Sequence, residues 1–149
     1  MARFVLRSPS FAEGEAIPVM HTCDGEDLSP ALAWEGAPAG TQAFALIVDD
    51  PDARGFVHWV AYDIPGARAG ELPQGVAPAA LPQGRTDFGR SGYGGPCPPS
   101  GTHHYRFTLF ALSGKLLATG SPSAADVRRA MGGLVLGETT LTGTYTRKR

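Results

Sequence analysis

The stretch Ala43-Phe44-Ala45-Leu46-Ile47-Val48-Asp49, continued by Asp50-Pro51-Asp52-Ala53-Arg54-Gly55 and then by Phe56-Val57-His58-Trp59-Val60-Ala61-Tyr62, decides the fold. Its opening run is unbrokenly apolar and ends in carboxylates, which suits a strand buried on both faces. Phe56 to Tyr62 reads as a second strand. The residues between them contain Pro and Gly and mark a tight connection, so the two strands are expected to pair as a hairpin-like unit with the aspartates at one end of a sheet.

Further strands are expected at Tyr105 to Leu112 and at Thr139 to Thr146, the latter running into the basic Arg147-Lys148-Arg149. One short segment reads as helix. Ser123 supplies a cap with Asp126 three positions on, and Gly132-Gly133 stops the helix after Met131. Pro65 to Pro82, punctuated by four prolines and three glycines, is expected to be an irregular surface excursion. Strands and turn signals dominate and crossover helices are missing, so the expected fold is mainly β: an antiparallel sandwich with one or two short helices.

A length of 149 residues suits one domain, residues 1–149, with one core. The formal charge of -1 gives no chain-wide attraction to nucleic acid or to an anionic membrane surface. The opening Met1-Ala2-Arg3-Phe4-Val5-Leu6-Arg7 resembles no signal peptide, and no window approaches the ~18 apolar residues of a membrane span, so cytoplasmic residence without stable membrane insertion is expected. Gly (20) and Pro (13) together exceed their ordinary combined share of about 12% and point to many turns. Cys23 and Cys97 lie far apart with no CxxC pair and are read as free thiols in preference to a disulfide.

Two segments carry chemistry. In Asp49-Asp50-Pro51-Asp52, Pro51 fixes its own φ and pushes Asp50 toward extended backbone, making a rigid acidic corner. The bland alternative is a solvated turn whose aspartates cap backbone N–H groups. By strand alternation Phe56, His58 and Val60 face one way and Val57, Trp59 and Ala61 the other. A carboxylate near His58 would raise its pKa and favour the cation.

The second segment is Gly92-Tyr93-Gly94-Gly95-Pro96-Cys97-Pro98-Pro99-Ser100-Gly101-Thr102-His103-His104-Tyr105. Its glycines allow close backbone approach and its prolines stiffen it, which makes a rim suited to an anion; a rigid loop without a ligand is the alternative. His103 and Tyr105 share a strand face, while His104 and Arg106 share the other. No CxxC cluster, HExxH helix or GxSxG elbow is present, so metal-dependent and nucleophilic catalysis have no sequence support and no metal or cofactor is expected.

Asp50-Pro51-Asp52-Ala53 with His58-Trp59, followed by Gly94-Gly95-Pro96-Cys97-Pro98-Pro99-Ser100-Gly101-Thr102-His103-x-Tyr105, resembles the two signature boxes of the phosphatidylethanolamine-binding protein family, in its bacterial and archaeal Raf kinase inhibitor-like branch. Thr22-Cys23-Asp24-Gly25, Leu28-Ser29-Pro30, Leu32-x-Trp34 and Gly143-Thr144-Tyr145 are similar to that branch as well. The resemblance implies antiparallel sheets with Greek-key connections and an anion pocket at one end. Asp50, Asp52 and His58 would come from the first box, and Pro98, Pro99, His103 and Tyr105 from the second, with Tyr93 and Cys97 on the rim.

The implied ligand is phosphate or a phosphorylated head group, held without bond breaking. Inhibition of a serine protease or kinase is the alternative role, a hydrolase the third, and a homodimer is expected. Arg54 stands where the family commonly has proline and would add a cation at the pocket mouth. His104 replaces an arginine, on the face turned away from the pocket.

Overall fold

The computed structural model describes residues 3–147, so Met1, Ala2, Lys148 and Arg149, including most of the expected basic tail, lie outside the described residues. Strands β1 (Val5–Arg7), β2 (Leu32–Glu35) and β5 (Gly70–Leu72) form a small sheet in the order β1-β2-β5. Strands β3 (Ala43–Asp50), β4 (Phe56–Pro65), β6 (Gly101–Leu112) and β7 (Val135–Arg147) form a larger one in the order β4-β3-β6-β7. All pairings within the two sheets are antiparallel. The chain leaves β4, contributes β5 to the small sheet, and returns to lay β6 beside β3. This is the mainly β, two-sheet architecture expected from the sequence.

Every residue of β3 is buried, because the large sheet is covered on both faces. Leu46, Val48, Trp59, Tyr105, Phe107 and Leu109 face the small sheet and meet Leu6, Leu32 and Trp34 there. Ala45, Ile47, Val60, Tyr62, Phe110 and Leu112 face the other way and are covered by Ala124, Val127 and Met131, on or just after helix α1 (Ala124–Ala130). The Ser123 hydroxyl accepts from the Asp126 N–H and the Asp126 carboxylate from the Ser123 N–H, closing the expected capping box at the helix start. Each fully buried Val, Leu, Ile or Phe side chain of these two cores contributes roughly 1.5–3 kcal/mol.

Several expectations are corrected. The excursion from Pro65 to Pro82 contains β5, three residues that complete the small sheet against β2. Strands β6 and β7 begin four residues earlier than their side-chain patterns suggest, because the two pair from Gly101↔Arg147 to Leu112↔Val135 with one register shift between Ala111 and Leu112.

Strict alternation fails in β4. Val48 pairs with Trp59 but Asp49 pairs with Val57, so His58 occupies a β-bulge. Val57 and Val60 both pack toward the helix-covered core, whereas the His58 ring meets Tyr105 on the side where Trp59 also packs. The bulge turns the imidazole away from the face of Val60.

Cys23 and Cys97 are not free thiols. They form a disulfide across a sequence separation of 74, with Cα atoms 5.5 Å apart. The proline-rich loop before β6 lies against the segment around Val19–Asp27. There the Tyr93 hydroxyl donates to the His21 carbonyl (2.7 Å), the Gly95 N–H to Asp27 Oδ1 (2.8 Å), and the Cys23 N–H to the Pro96 carbonyl (3.1 Å). This long-range docking brings the sulfurs together, and sequence distance concealed it.

Candidate functional site

Asp50 ends β3 and caps the 3-10 turn Pro51–Ala53, its Oδ1 accepting from the Asp52 N–H at 2.8 Å. The turn closes through Arg54 at φ 57 and Gly55 at φ 78 and returns the chain into β4. Asp50 is 2% exposed, and its second oxygen accepts from His103 Nδ1 at 2.6 Å. A carboxylate accepting from Nδ1 fixes the ring's orientation and leaves Nε2 as the ring nitrogen open to a ligand.

His58 is joined twice to Gly94. Its Nδ1 donates to the Gly94 carbonyl (2.8 Å), and the Gly94 N–H donates to the His58 carbonyl (2.9 Å). The rings of Phe56, Phe88 and Tyr105 each stand edge-on to the imidazole with centroids 5.2 Å away. A Cβ at Gly94 would overlap the Phe88 ring, so a larger residue there would have to displace that ring from the hollow.

Burial holds the His58 pKa below its ordinary value, outweighing the Gly94 carbonyl and the Asp50 charge that act the other way. This reverses the expected upward shift: removal from water costs the cation more than the carboxylate returns. His58 is thus a neutral ring near pH 7, with Nδ1 donating and Nε2 able to accept.

A stability consequence follows. The unfolded chain binds a proton at His58 near the ordinary 6.5, and the native chain binds it only at lower pH. The stability linked to this group is complete above that value and is lost as pH falls through the lowered native pKa. Urea denaturation of wild type and His58→Gln should therefore show the wild type losing stability relative to the variant as pH falls below about 6.5. Parallel pH profiles would contradict it.

Asp50, Ala53, Phe56, His58, Phe88, Cys97, Pro98, Pro99, His103 and Tyr105 enclose a hollow of about 190 Å³. Seven of the sequence-predicted residues thus converge, from the end of β3, from β4, from the loop and from β6.

Two others do not. Asp52 turns outward and accepts from both the His104 N–H (2.7 Å) and His104 Nδ1 (2.8 Å), and the His104 side-chain bond holds its pKa below the usual carboxylate range. It ties the turn to β6 from the far side of the strand, and His104 faces away from the hollow as alternation requires. Tyr93 lies behind the hollow, its ring edge-on to Trp59 at 5.4 Å, and burial pushes its phenol well above the usual range. Arg54 is not among the lining residues.

Ala53, Phe56 and Phe88 were missed. The first two flank residues already singled out, whereas Phe88 comes from a turn with no signal in the local sequence. Inside, His103 and Tyr105 stack with centroids 6.4 Å apart. Burial, and then the Asp50 charge, raises the Tyr105 pKa, and its hydroxyl makes no well-formed hydrogen bond among the described residues. No three His, Cys, Asp or Glu side chains among the described residues converge as metal ligands, and no helix among them is long and apolar enough to cross a membrane.

A family model described as phosphatidylethanolamine-binding protein matches residues 7–146. A UPF0098 protein of Aquifex aeolicus is 47% identical over 94% of this chain and 86% of its own length. LppC of Mycobacterium tuberculosis, named as a candidate lipoprotein, is 41% identical over 94% of this chain and 71% of its own. Two crystal structures share the fold. YbcL of Escherichia coli, described as a member of the mammalian PEBP family, superposes with a TM-score of 0.88 and 34% identity, covering 99% of this chain and 100% of its own. CT736 of Chlamydia trachomatis, described as a PEBP homologue, superposes at 0.91 and 29% identity with the same coverage.

Proposed function

The chain belongs to the phosphatidylethanolamine-binding protein family, and from that premise we propose that it is a ligand-binding protein whose hollow takes a small anionic group, phosphate or a phosphorylated head group. One observation carries this reading: His58 and His103, remote in sequence, line one small hollow, each with Nδ1 committed to a protein acceptor. Each ring therefore presents Nε2 to a guest. A neutral Nε2 accepts, so the fitting guest is an anion that keeps one proton, such as a phosphate monoanion donating its P–OH to His58. A charged oxygen of the same group accepts a hydrogen bond from His103 Nε2 when that ring carries a proton on both nitrogens.

Size narrows the choice. About 190 Å³ falls below the roughly 300–1,000 Å³ of drug-sized sites, so only a head group enters and the rest of the ligand projects into solvent. Phe56, Phe88, Pro98 and Tyr105 form an apolar wall that strengthens polar contacts by excluding water. The reading includes no bond breaking. Asp50 is engaged by His103 and by the Asp52 N–H, Cys97 is held in a disulfide, and no serine or threonine lines the hollow.

The cytoplasmic residence expected from the sequence sits uneasily with this disulfide, because the cytosol of most organisms keeps thiols reduced. Trapping thiols with an alkylating reagent in intact cells of the native host tests this: no modified cysteine would mean that the bond forms in the cell, and two modified cysteines that the protein resides in a reducing environment.

Calorimetric titration with phosphate and O-phosphorylethanolamine tests the proposal. Replacing His103 removes one hydrogen bond to a charged group, so His103→Ala should bind roughly tenfold to hundredfold more weakly than wild type. Equal affinity in wild type and variant would remove His103 from the site.

A further inference from the structure

His58 meets the hollow with an acceptor, and the bond on its other ring nitrogen makes it so. The Gly94 carbonyl can only accept, so its 2.8 Å contact places a proton on Nδ1 and leaves the lone pair of the neutral ring on Nε2. A second proton at Nε2 would charge a ring that is 4% exposed and packed among Phe56, Phe88 and Tyr105, and burial disfavours that charge.

The groups around this ring leave it neutral. Asp50 from β3 and Asp27 from the 19–27 segment favour the cation, but burial outweighs both. His103 and Tyr105 come from β6, and Arg90 lies over the Phe88 ring that packs against His58.

Asp50 adds a second constraint. Its carboxylate is 2% exposed and lines the same hollow. Even with His103 protonated on both nitrogens, Asp50, His103 and a neutral His58 together carry no net positive charge. A dianion would face a buried carboxylate with no surplus cation to balance it, whereas a monoanion is opposed less.

Phosphate and sulfate separate these demands from size. Both are tetrahedral and of similar volume, but sulfate is a dianion that carries no proton, whereas a phosphate monoester, with a second pKa of about 6, keeps a P–OH into the neutral range. A phosphodiester has the right charge but no P–OH, and its second substituent must also leave a hollow of about 190 Å³.

We propose that the hollow selects its guest by a proton: it takes a phosphate monoester as the monoanion, with the P–OH donating to His58 Nε2, and rejects sulfate and phosphodiesters, which bring no proton. This selection deepens the anion-binding reading and rests on it. The ligand class is then a molecule ending in a phosphate, and not the diester phosphate of an intact membrane phospholipid.

Calorimetry on the full chain tests this with methyl phosphate, dimethyl phosphate and sulfate at about pH 6, where roughly half of the monoester is the monoanion. A guest without a proton leaves His58 Nε2 facing an oxygen lone pair and forfeits one hydrogen bond involving a charged group. Methyl phosphate should therefore bind roughly tenfold to hundredfold more tightly than either of the others. Nitrogen NMR of the imidazole rings in the methyl phosphate complex should show His58 Nε2 unprotonated. Equal or tighter binding of sulfate or dimethyl phosphate overturns the proposal and leaves the anion reading standing. A His58 ring protonated on both nitrogens in the complex overturns it as well, because His58 would then be the donor. If none of the three probes binds, the anion reading itself fails and the selection falls with it.

Discussion

Gly95→Ala is expected to destabilise the protein by about 3 kcal/mol and to abolish phosphate binding. A Cβ at this position would overlap the His21 carbonyl oxygen and stand 2.5 Å from Asp27 Oδ1. Neither neighbour can yield cheaply. His21 is fully buried and its carbonyl already accepts from the Tyr93 hydroxyl, while Asp27 accepts from the Gly95 N–H itself. The loop must lift off the 19–27 segment, taking Cys97, Pro98 and Pro99 with it. Gly114→Ala is the control, because a Cβ there meets nothing within 4 Å. Urea denaturation and calorimetry on both variants check this; a Gly95→Ala protein of wild-type stability and affinity would mean that the docked loop does not shape the hollow.

His58→Ala carries the second large effect, roughly 3 kcal/mol of stability, of a size with other large-to-small core changes. The side chain is 4% exposed and packed among three aromatic rings, so its removal leaves a void and an unpaired Gly94 carbonyl. His103 differs, because its side chain is 16% exposed and its main protein contact is Asp50. The pair should therefore split: His58→Ala loses stability to a void as well as to a lost hydrogen bond, whereas His103→Ala, which leaves Asp50 Oδ2 unpaired but little void, loses binding with the smaller fall in denaturation midpoint. Equal stability losses from both would contradict the structural role assigned to His58.

This split reflects how much was legible beforehand. The apolar run through Ala43–Val48 announced a strand covered on both faces, and the Ser123/Asp126 cap announced the helix that covers one of them, because both signals are local. Alternation placed His103 with Tyr105 and turned His104 away, since β6 is regular there. It failed at His58, where a bulge adds one residue opposite β3 and resets the faces. Asp52 could not be separated from Asp50 by sequence, because only the turn geometry decides which carboxylate points inward. Tyr93 belonged to the right loop but to its buried side. Phe88 and the disulfide were out of reach for the same reason, as each depends on contacts between segments that nothing in the local sequence connects. The downward pKa shift of His58 likewise depends on how deeply three aromatic rings bury it, which charge proximity alone does not show.

The most direct test of the anion site is a crystal structure of the oxidised protein grown or soaked with phosphate. Phosphate density in the hollow, with oxygens within hydrogen-bonding distance of the Nε2 atoms of both His58 and His103, is the predicted result. A hollow occupied only by water at a phosphate concentration that saturates binding in solution would contradict the account.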